Sequence, residues 1–71
     1  MPPDLSDAVS HYQAGRLVEA EAASRTLLEH DRHQPDAHAL IGVIALRTGR
    51  TTDAIEQFLA TQEALMAQGA S

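Results

Sequence analysis

Four histidines have the widest chemical range in this chain, and two of them are closely spaced. His30 and His33 are three residues apart, a spacing that can place two imidazole ligands on one helical turn, with Asp31 between them and His38 nearby. A metal site also needs an organised ligand set, and these residues fall beside a predicted helix end, where the backbone geometry is loose. We therefore expect polar histidines in a loop and at a helix end, and no metal site.

Serine and acidic side chains offer the other routes to catalysis. Ser6, Ser10 and Ser24 share the chain with histidines, but the sequence predicts no strained turn that would present a nucleophile. The acids fall on predicted outer helix faces, without a cleft that would raise a carboxyl pKa for acid–base work. The glycine-rich phosphate-binding patterns G-x-G-x-x-G and G-x-x-x-x-G-K-[ST] do not occur, and the chain has no lysine for a P-loop. We expect no catalytic residue and no cofactor, so the chain is predicted not to be an enzyme.

Size and charge narrow the classes of partner. The 71 residues suffice for one small domain, and ten acids against five arginines give a formal net charge of −5. An acidic chain without a basic patch is poorly suited to neutralising phosphates, and one tyrosine and one phenylalanine provide no stacking platform for bases. We therefore expect no nucleic acid partner.

Cysteine usage and hydropathy bear on the compartment. The chain has no cysteine, which excludes both a disulfide framework and a cysteine-based zinc site. The first residues lack the basic and apolar regions of a signal peptide, and the longest nearly apolar run, 37–46, is far too short to cross a bilayer. We expect a cytoplasmic protein without a membrane partner.

Hydrophobic periodicity predicts four helices, near residues 4–14, 18–31, 36–48 and 52–67. Side chains suited to capping helix N-termini are Asp4 or Ser6 for the first helix, Asp36 for the third, and Thr51 or Thr52 for the fourth. The third helix is apolar on nearly every side, so it should be the most buried element.

A repeated turn organises these helices. At an offset of 34 residues, a turn, an acid–alanine pair and a small residue recur: Gly15-Arg16 with Gly49-Arg50, Glu19-Ala20 with Asp53-Ala54, and Ala8 with Gly42. Each turn glycine follows a helical run, where a left-handed residue is easiest for glycine. Ala8 and Gly42 are small enough for two helices to approach closely. The pattern predicts an all-α fold of two antiparallel helix-turn-helix hairpins.

The pattern resembles the tetratricopeptide repeat, whose units read W-x2-L-G-x2-Y, then A-x3-F, then P. The second unit keeps the family positions at Ile41-Gly42, Ala45 and Ala54-x3-Phe58, and the more degenerate first unit keeps Ala8, Gly15 and Ala20. His38 replaces the tryptophan, and Met66 replaces the terminal proline. The resemblance implies a fragment of an α-solenoid, a single domain over residues 1–71 with repeats at about 1–34 and 35–68.

The resemblance also implies a binding groove lined by the first helix of each hairpin. The family positions that line it correspond here to Leu5, Val9, Tyr12, Gln13, Asp36, Ala39, Val43, Leu46 and Arg47. Co-chaperone members of the family hold a C-terminal carboxylate there with lysines and asparagines, but Leu5, Val9 and Val43 replace them here. An apolar strip suits a helix or an extended peptide, so the resemblance implies a non-catalytic protein–protein interaction scaffold. The same residues could instead be core covered by another subunit.

The predicted fourth helix carries two neighbouring apolar stripes. One stripe, expected to pack within the hairpin, consists of Ala54, Phe58, Thr61 and Leu65. The other leaves Ile55, Leu59 and Met66 without a following hairpin to cover them, and two hairpins are fewer than the three repeats a solenoid usually needs. We therefore expect self-association through these three side chains, as a homodimer.

Two further hypotheses remain open. The run 34–42 resembles repeats that precede bacterial glycosyltransferase or oxygenase domains, which would make the chain an N-terminal regulatory or docking segment of a larger enzyme. Self-assembly could also be the whole function.

Overall fold

The protein is all-α. The computed structural model describes residues 4–69, and the helices in this range are α1 (Leu5–Gln13), α2 (Leu17–His30), α3 (Pro35–Arg47) and α4 (Thr51–Gly69), with no strand among them. The all-α prediction is confirmed, and each helix boundary lies within two residues of its predicted position. Residues 1–3 and 70–71 of the predicted domain lie outside the described range.

The turns that end α1 and α3 share one backbone geometry. Gly15 and Gly49 are left-handed, with φ of 81° and 80°. Two backbone bonds close each turn: Gly15 N–H to the Tyr12 carbonyl (3.0 Å) and Arg16 to His11 (2.9 Å), and 34 residues later Gly49 to Leu46 (3.3 Å) and Arg50 to Ala45 (2.8 Å). This is the Schellman arrangement, which satisfies carbonyls left free at a helix end. The left-handed glycine predicted after each helix is therefore confirmed.

The helix starts follow the predictions less closely. Asp4 caps α1, because its carboxylate accepts a backbone N–H three residues further on, at 3.1 Å. The prediction of Asp36 as a cap is wrong: α3 begins at Pro35, whose fixed φ suits the first helical position, so Asp36 lies within the first turn. The predicted threonine caps are also wrong, because α4 begins at Thr51 and Arg50 precedes it.

Helix α3 lies at the centre of the fold. It packs against α2 and α4 and touches α1. Its buried residues are Ala37, Ile41, Gly42, Ile44 and Ala45, whereas each of the other helices buries three residues or fewer. The prediction that α3 is the most buried element is confirmed. Fully buried alanines at Ala8, Ala20 and Ala54 allow the neighbouring helices to pack closely.

Gly42 marks the closest approach that the sequence predicts between α3 and α4. A Cβ built at Gly42 would lie 2.7 Å from Cε1 of Phe58, a separation that real Cβ atoms essentially never show. The Phe58 ring therefore occupies the space that a side chain at position 42 would need. The predicted close approach is present in the structure.

The inward face of α4 differs from the predicted stripe. Ala54 and Ala64 are buried and Thr61 is half-buried, but Phe58 and Leu65 are 39% and 56% exposed. The prediction that these residues pack within the pair is therefore wrong for Leu65, whereas Phe58 packs against Gly42 on α3 and remains partly exposed. Small side chains occupy the middle of the face against α3, and the two large ones lie at its edge. Within residues 4–69, no helix has both the length and the hydrophobicity needed to span a membrane.

Candidate functional site

A shallow groove of about 440 Å³ runs between α1 and α3. Leu5 and Val9 line it from α1, and Ala39 and Val43 line it from α3. All four are half-buried, and neighbouring Leu40 packs against the hydrophobic core. With Asp36, which also lines the groove, the structure thus brings five of the proposed groove residues together on a floor supported by the core.

Tyr12 and Arg47, also expected in the groove, meet at the opposite end of the same two helices. The guanidinium carbon of Arg47 lies 5.4 Å from the centroid of the Tyr12 ring, within the range of a cation–π contact. Leu5 and Asp36 line the groove near the helix starts, so α1 and α3 run side by side in the same direction. The exposed stack contributes about 0.5–1 kcal/mol and orders a guanidinium one turn beyond Val43.

Gln13 and Leu46 do not line this groove. Both lie at the ends of their helices and are exposed, Leu46 by 52%. They stand beside the Tyr12–Arg47 stack along the chain, outside the residues that form the groove. The proposed binding surface therefore divides into an apolar groove, a cation–π stack, and two exposed flanking residues.

The two ends of α3 carry opposite charges, one lining the groove and one in the stack beyond it. Asp36 lies in the first turn of α3 and lines the groove, whereas Arg47 lies in the last turn of the same helix. The carboxylate lies at the positive end of the helix dipole and the guanidinium lies at its negative end, so the dipole stabilises both charges. An apolar middle between a carboxylate and a guanidinium can hold an apolar segment in one preferred direction.

The three residues expected to mediate self-association lie on a different surface. Ile55, Leu59 and Met66 are 55%, 56% and 66% exposed on α4. Helix α3 lies between them and the groove, because α3 packs on α4 and also supplies one wall of the groove. The two candidate surfaces are therefore separate.

An ion-pair cluster around Glu21 joins α2 to the turn between α3 and α4. The Glu21 carboxylate accepts hydrogen bonds from Arg50 at 2.5 Å and from Arg25 at 2.8 Å. The hydrogen bond from Arg50, assisted by Arg25, lowers the pKa of Glu21 from 4.5 to about 2. Glu21 and Arg25 are one helical turn apart on α2, and the expectation that the acids lie on outer helix faces is wrong for Glu21, whose side chain is only 18% exposed. No local pattern indicates the contact with Arg50, which lies 29 residues away.

The histidines take structural positions. Both His38 ring nitrogens lie 2.9 Å from oxygens, Nδ1 from Gln57 Oε1 on α4 and Nε2 from the Arg32 carbonyl between α2 and α3. His38, at the position of the family's tryptophan, thus bridges the α2–α3 connection to α4. His30 and His33 are exposed. Within residues 4–69, no group of three or more histidine, cysteine, aspartate or glutamate side chains is positioned to hold a metal ion.

No protein-family model matches the chain, and neither a curated protein nor a solved structure matches it. A functional conclusion must therefore come from the chemistry of its own surfaces, namely the α1/α3 groove and the exposed face of α4.

Proposed function

We propose that the protein is a non-catalytic interaction module of tetratricopeptide-like architecture, whose α1/α3 groove binds an apolar helix or peptide of a protein partner. The groove itself is the observation that carries the proposal: Leu5, Val9, Ala39 and Val43 form an accessible apolar surface on two parallel helices. Such surfaces recognise amphipathic helices and extended segments through a few apolar anchors.

The repeated turn supports the architectural part of the proposal. The same pair of backbone hydrogen bonds recurs at an offset of 34 residues, which is the period of the tetratricopeptide repeat. Helices of successive units pack side by side in that architecture, and their first helices supply the binding surface. As a cysteine-free module of this kind, the protein is proposed to act in the cytoplasm.

The charges at the groove ends define the class of partner. The bound segment is apolar in its middle, carries a basic residue near Asp36, and carries an acidic residue near Arg47. Each large apolar side chain that becomes fully buried contributes about 1.5–3 kcal/mol. The loss of translational and rotational freedom offsets much of this gain, so we expect affinity on the order of micromolar.

Selection of peptides from a random displayed library on the full chain tests the proposal. We expect enriched sequences to share apolar residues flanked by a basic and an acidic residue, and Val43→Glu to weaken their binding at least about tenfold. Val18→Glu is the matched control, because Val18 is 78% exposed on α2 and lies outside the groove. No enrichment, or enriched peptides that bind Val43→Glu and Val18→Glu equally, would contradict a groove-binding function.

A charge-reversed variant tests the preferred direction. Asp36→Lys combined with Arg47→Glu keeps the apolar groove and inverts its two ends. We expect this variant to select apolar peptides with the acidic and basic residues in the opposite order. Unchanged peptide sequences would show that the end charges do not orient the bound segment.

A further inference from the structure

The outer face of α4 exposes a stripe of large apolar side chains around the polar Gln62. It consists of five large side chains, each between 39% and 66% exposed: Ile55, Phe58, Leu59, Leu65 and Met66. Among the described helices, α4 packs only on α3, so no other helix covers this face. A large group of exposed apolar side chains on one face is uncommon on a monomer and marks an interaction site.

The large side chains of the stripe are spaced symmetrically about one residue of α4. Gln62 lies at its centre, Leu59 and Leu65 are each three residues away, and Phe58 and Met66 are each four residues away. At 100° per residue, all these positions fall within one face about 120° wide. A two-fold interface requires one patch to complement a reversed copy of itself. The spacing on α4 meets that requirement.

We propose that a second copy of this chain covers the stripe, with the two α4 helices antiparallel and a two-fold axis at Gln62. In this register Leu59 packs against the partner's Leu65, and Phe58 packs against the partner's Met66. Ile55 lies over the partner's Gly69, where an added Cβ meets no atom within 4 Å in the free chain. The interface is independent of the groove and extends the proposed function to a module that presents two grooves.

The charges on α4 fit this register. The helix carries Asp53, Glu56 and Glu63 and no basic residue. With the axis at Gln62, Glu56 is level with the partner's Gln68, and Glu63 is level with the partner's Thr61. A parallel arrangement in register would instead place each acid level with the same acid of the other copy. Antiparallel packing therefore separates the two copies of Glu56 by twelve residues, about 18 Å along the helix axis, and reduces their repulsion, whereas the two copies of Glu63 stay about 3 Å apart along the axis on the rim of the interface.

The area that the stripe can bury determines the expected affinity of the dimer. Five large, partly exposed side chains from each copy can bury on the order of 1,000 Å² in total, near the lower limit of specific interfaces. A surface of this size gives a dimer that dissociates in the micromolar range once the cost of association is included. The oligomeric state should therefore change across an accessible range of protein concentration.

Sedimentation velocity of the full chain, from low to high micromolar concentration, tests the dimer. We expect a monomer–dimer equilibrium, weakened at least about tenfold by Leu59→Glu and by Leu65→Glu, since each change adds two buried charges per dimer. Unchanged helical circular dichroism will show that the variants remain folded. Val18→Glu is the control for an added charge at an exposed apolar site outside the stripe. Val43→Glu changes the groove and should leave the dimer unchanged, which would show that the interface and the groove are independent.

The cysteine-free sequence also allows the orientation to be tested by oxidation of single cysteines. Gln62→Cys should form a disulfide-linked dimer readily, because the two copies of this residue meet at the axis. Ile55→Cys should not, because its two copies would lie about 20 Å apart in the antiparallel register. A chain that stays monomeric at high micromolar concentration would overturn the proposal. So would an unchanged dimer in Leu59→Glu, or crosslinking of Ile55→Cys as readily as Gln62→Cys.

Discussion

The two helix pairs end their first helices with the same turn but fill the space between their helices differently. In the second pair Gly42 lies against the Phe58 ring, whereas the corresponding positions of the first pair hold Ala8 and Ser24, both fully buried. The Ser24 hydroxyl donates to the Ala20 carbonyl at 2.9 Å, so its burial leaves no unpaired donor. The backbone turn is repeated, while the contact between helices is particular to each pair.

This difference changes what each pair presents to solvent. Ser24 fits inside the first pair, but the larger Phe58 remains 39% exposed and joins the apolar stripe of α4. An aromatic ring thus compensates for the missing side chain at Gly42 and also extends an uncovered apolar surface. The second pair therefore combines a tight helix contact with the proposed dimer face.

The largest expected effect comes from filling the space at Gly42. Gly42→Leu should destabilise the protein by about 2–3 kcal/mol, because the new side chain overpacks the contact with Phe58. For a domain of this size the melting temperature should fall by roughly 10–20 °C. Thermal and urea unfolding will measure the loss.

The same substitution in a Phe58→Ala background sharpens the test. Removing the ring opens space for the leucine, so the additional loss from Gly42→Leu should be much smaller there. An unchanged melting temperature in Gly42→Leu, or equal losses in both backgrounds, would contradict the close contact.

The next effect tests whether the two turns are equivalent. Gly15→Ala and Gly49→Ala should each destabilise the protein by about 1–2 kcal/mol, because alanine must adopt a left-handed conformation. An added Cβ meets nothing within 4 Å at either position, so steric contacts should not make the losses differ. Urea unfolding will compare them, with helical Gly69→Ala as a control that loses no stability. A large loss of stability from only one of the two substitutions would show that the two turns themselves are not equivalent.

A smaller effect should follow from removing the charge of Glu21. Its pKa is lowered to about 2 in the folded state from 4.5, so its ion pairs stabilise the protein above pH 4.5 and weaken as the pH falls toward 2. Since Arg25 and Arg50 are 52% and 39% exposed, solvent reduces this contribution to about 1 kcal/mol. Urea unfolding should show Glu21→Gln less stable than the parent at pH 7, with the difference shrinking at pH 3. A pH-independent difference would assign the loss to packing instead.

The smallest effect distinguishes the arginines that follow the two glycines. Arg50 reaches Glu21 on α2, whereas Arg16 contacts His11 at 3.1 Å and lies 3.8 Å from Glu19 on its own side of the fold. Arg50→Ala should therefore lower the melting temperature more than Arg16→Ala. Equal losses of melting temperature would mean that each arginine stabilises only its own turn. The Glu21–Arg50 ion pair would then add nothing to the stability of the protein.

Local features of the sequence predict much of the fold. Gly15 and Gly49 mark where helices end, because few other residues adopt their left-handed conformation, and the apolar run of α3 indicates burial on both sides. The cap of α3 was mispredicted because Pro35 and Asp36 are both favourable near a helix start, and proline takes the first position. The exposure of Phe58 depends on the rotation of α4 against α3, which periodicity alone does not specify.

The candidate site is predictable only in part for the same reason. The family resemblance, and not the spacing alone, indicates Leu5, Val9 and Val43 as groove residues, and the structure brings these three together. The Tyr12–Arg47 stack joins residues that are 35 positions apart, and long-range contacts of this kind leave no periodic pattern in the chain. Such contacts depend on how the helices dock.

The order in which the helices pack also bears on how the chain folds. Each helix packs mainly on the next one along the sequence, so most native contacts close short loops at little entropic cost. Helical proteins with such local contacts fold within microseconds to milliseconds. The glycine turns need bonds spanning only three to five residues, and they can form before the pairs meet. The Glu21–Arg50 bond must wait until α2 has met the second turn, so it is expected to form late during folding and to break early during unfolding.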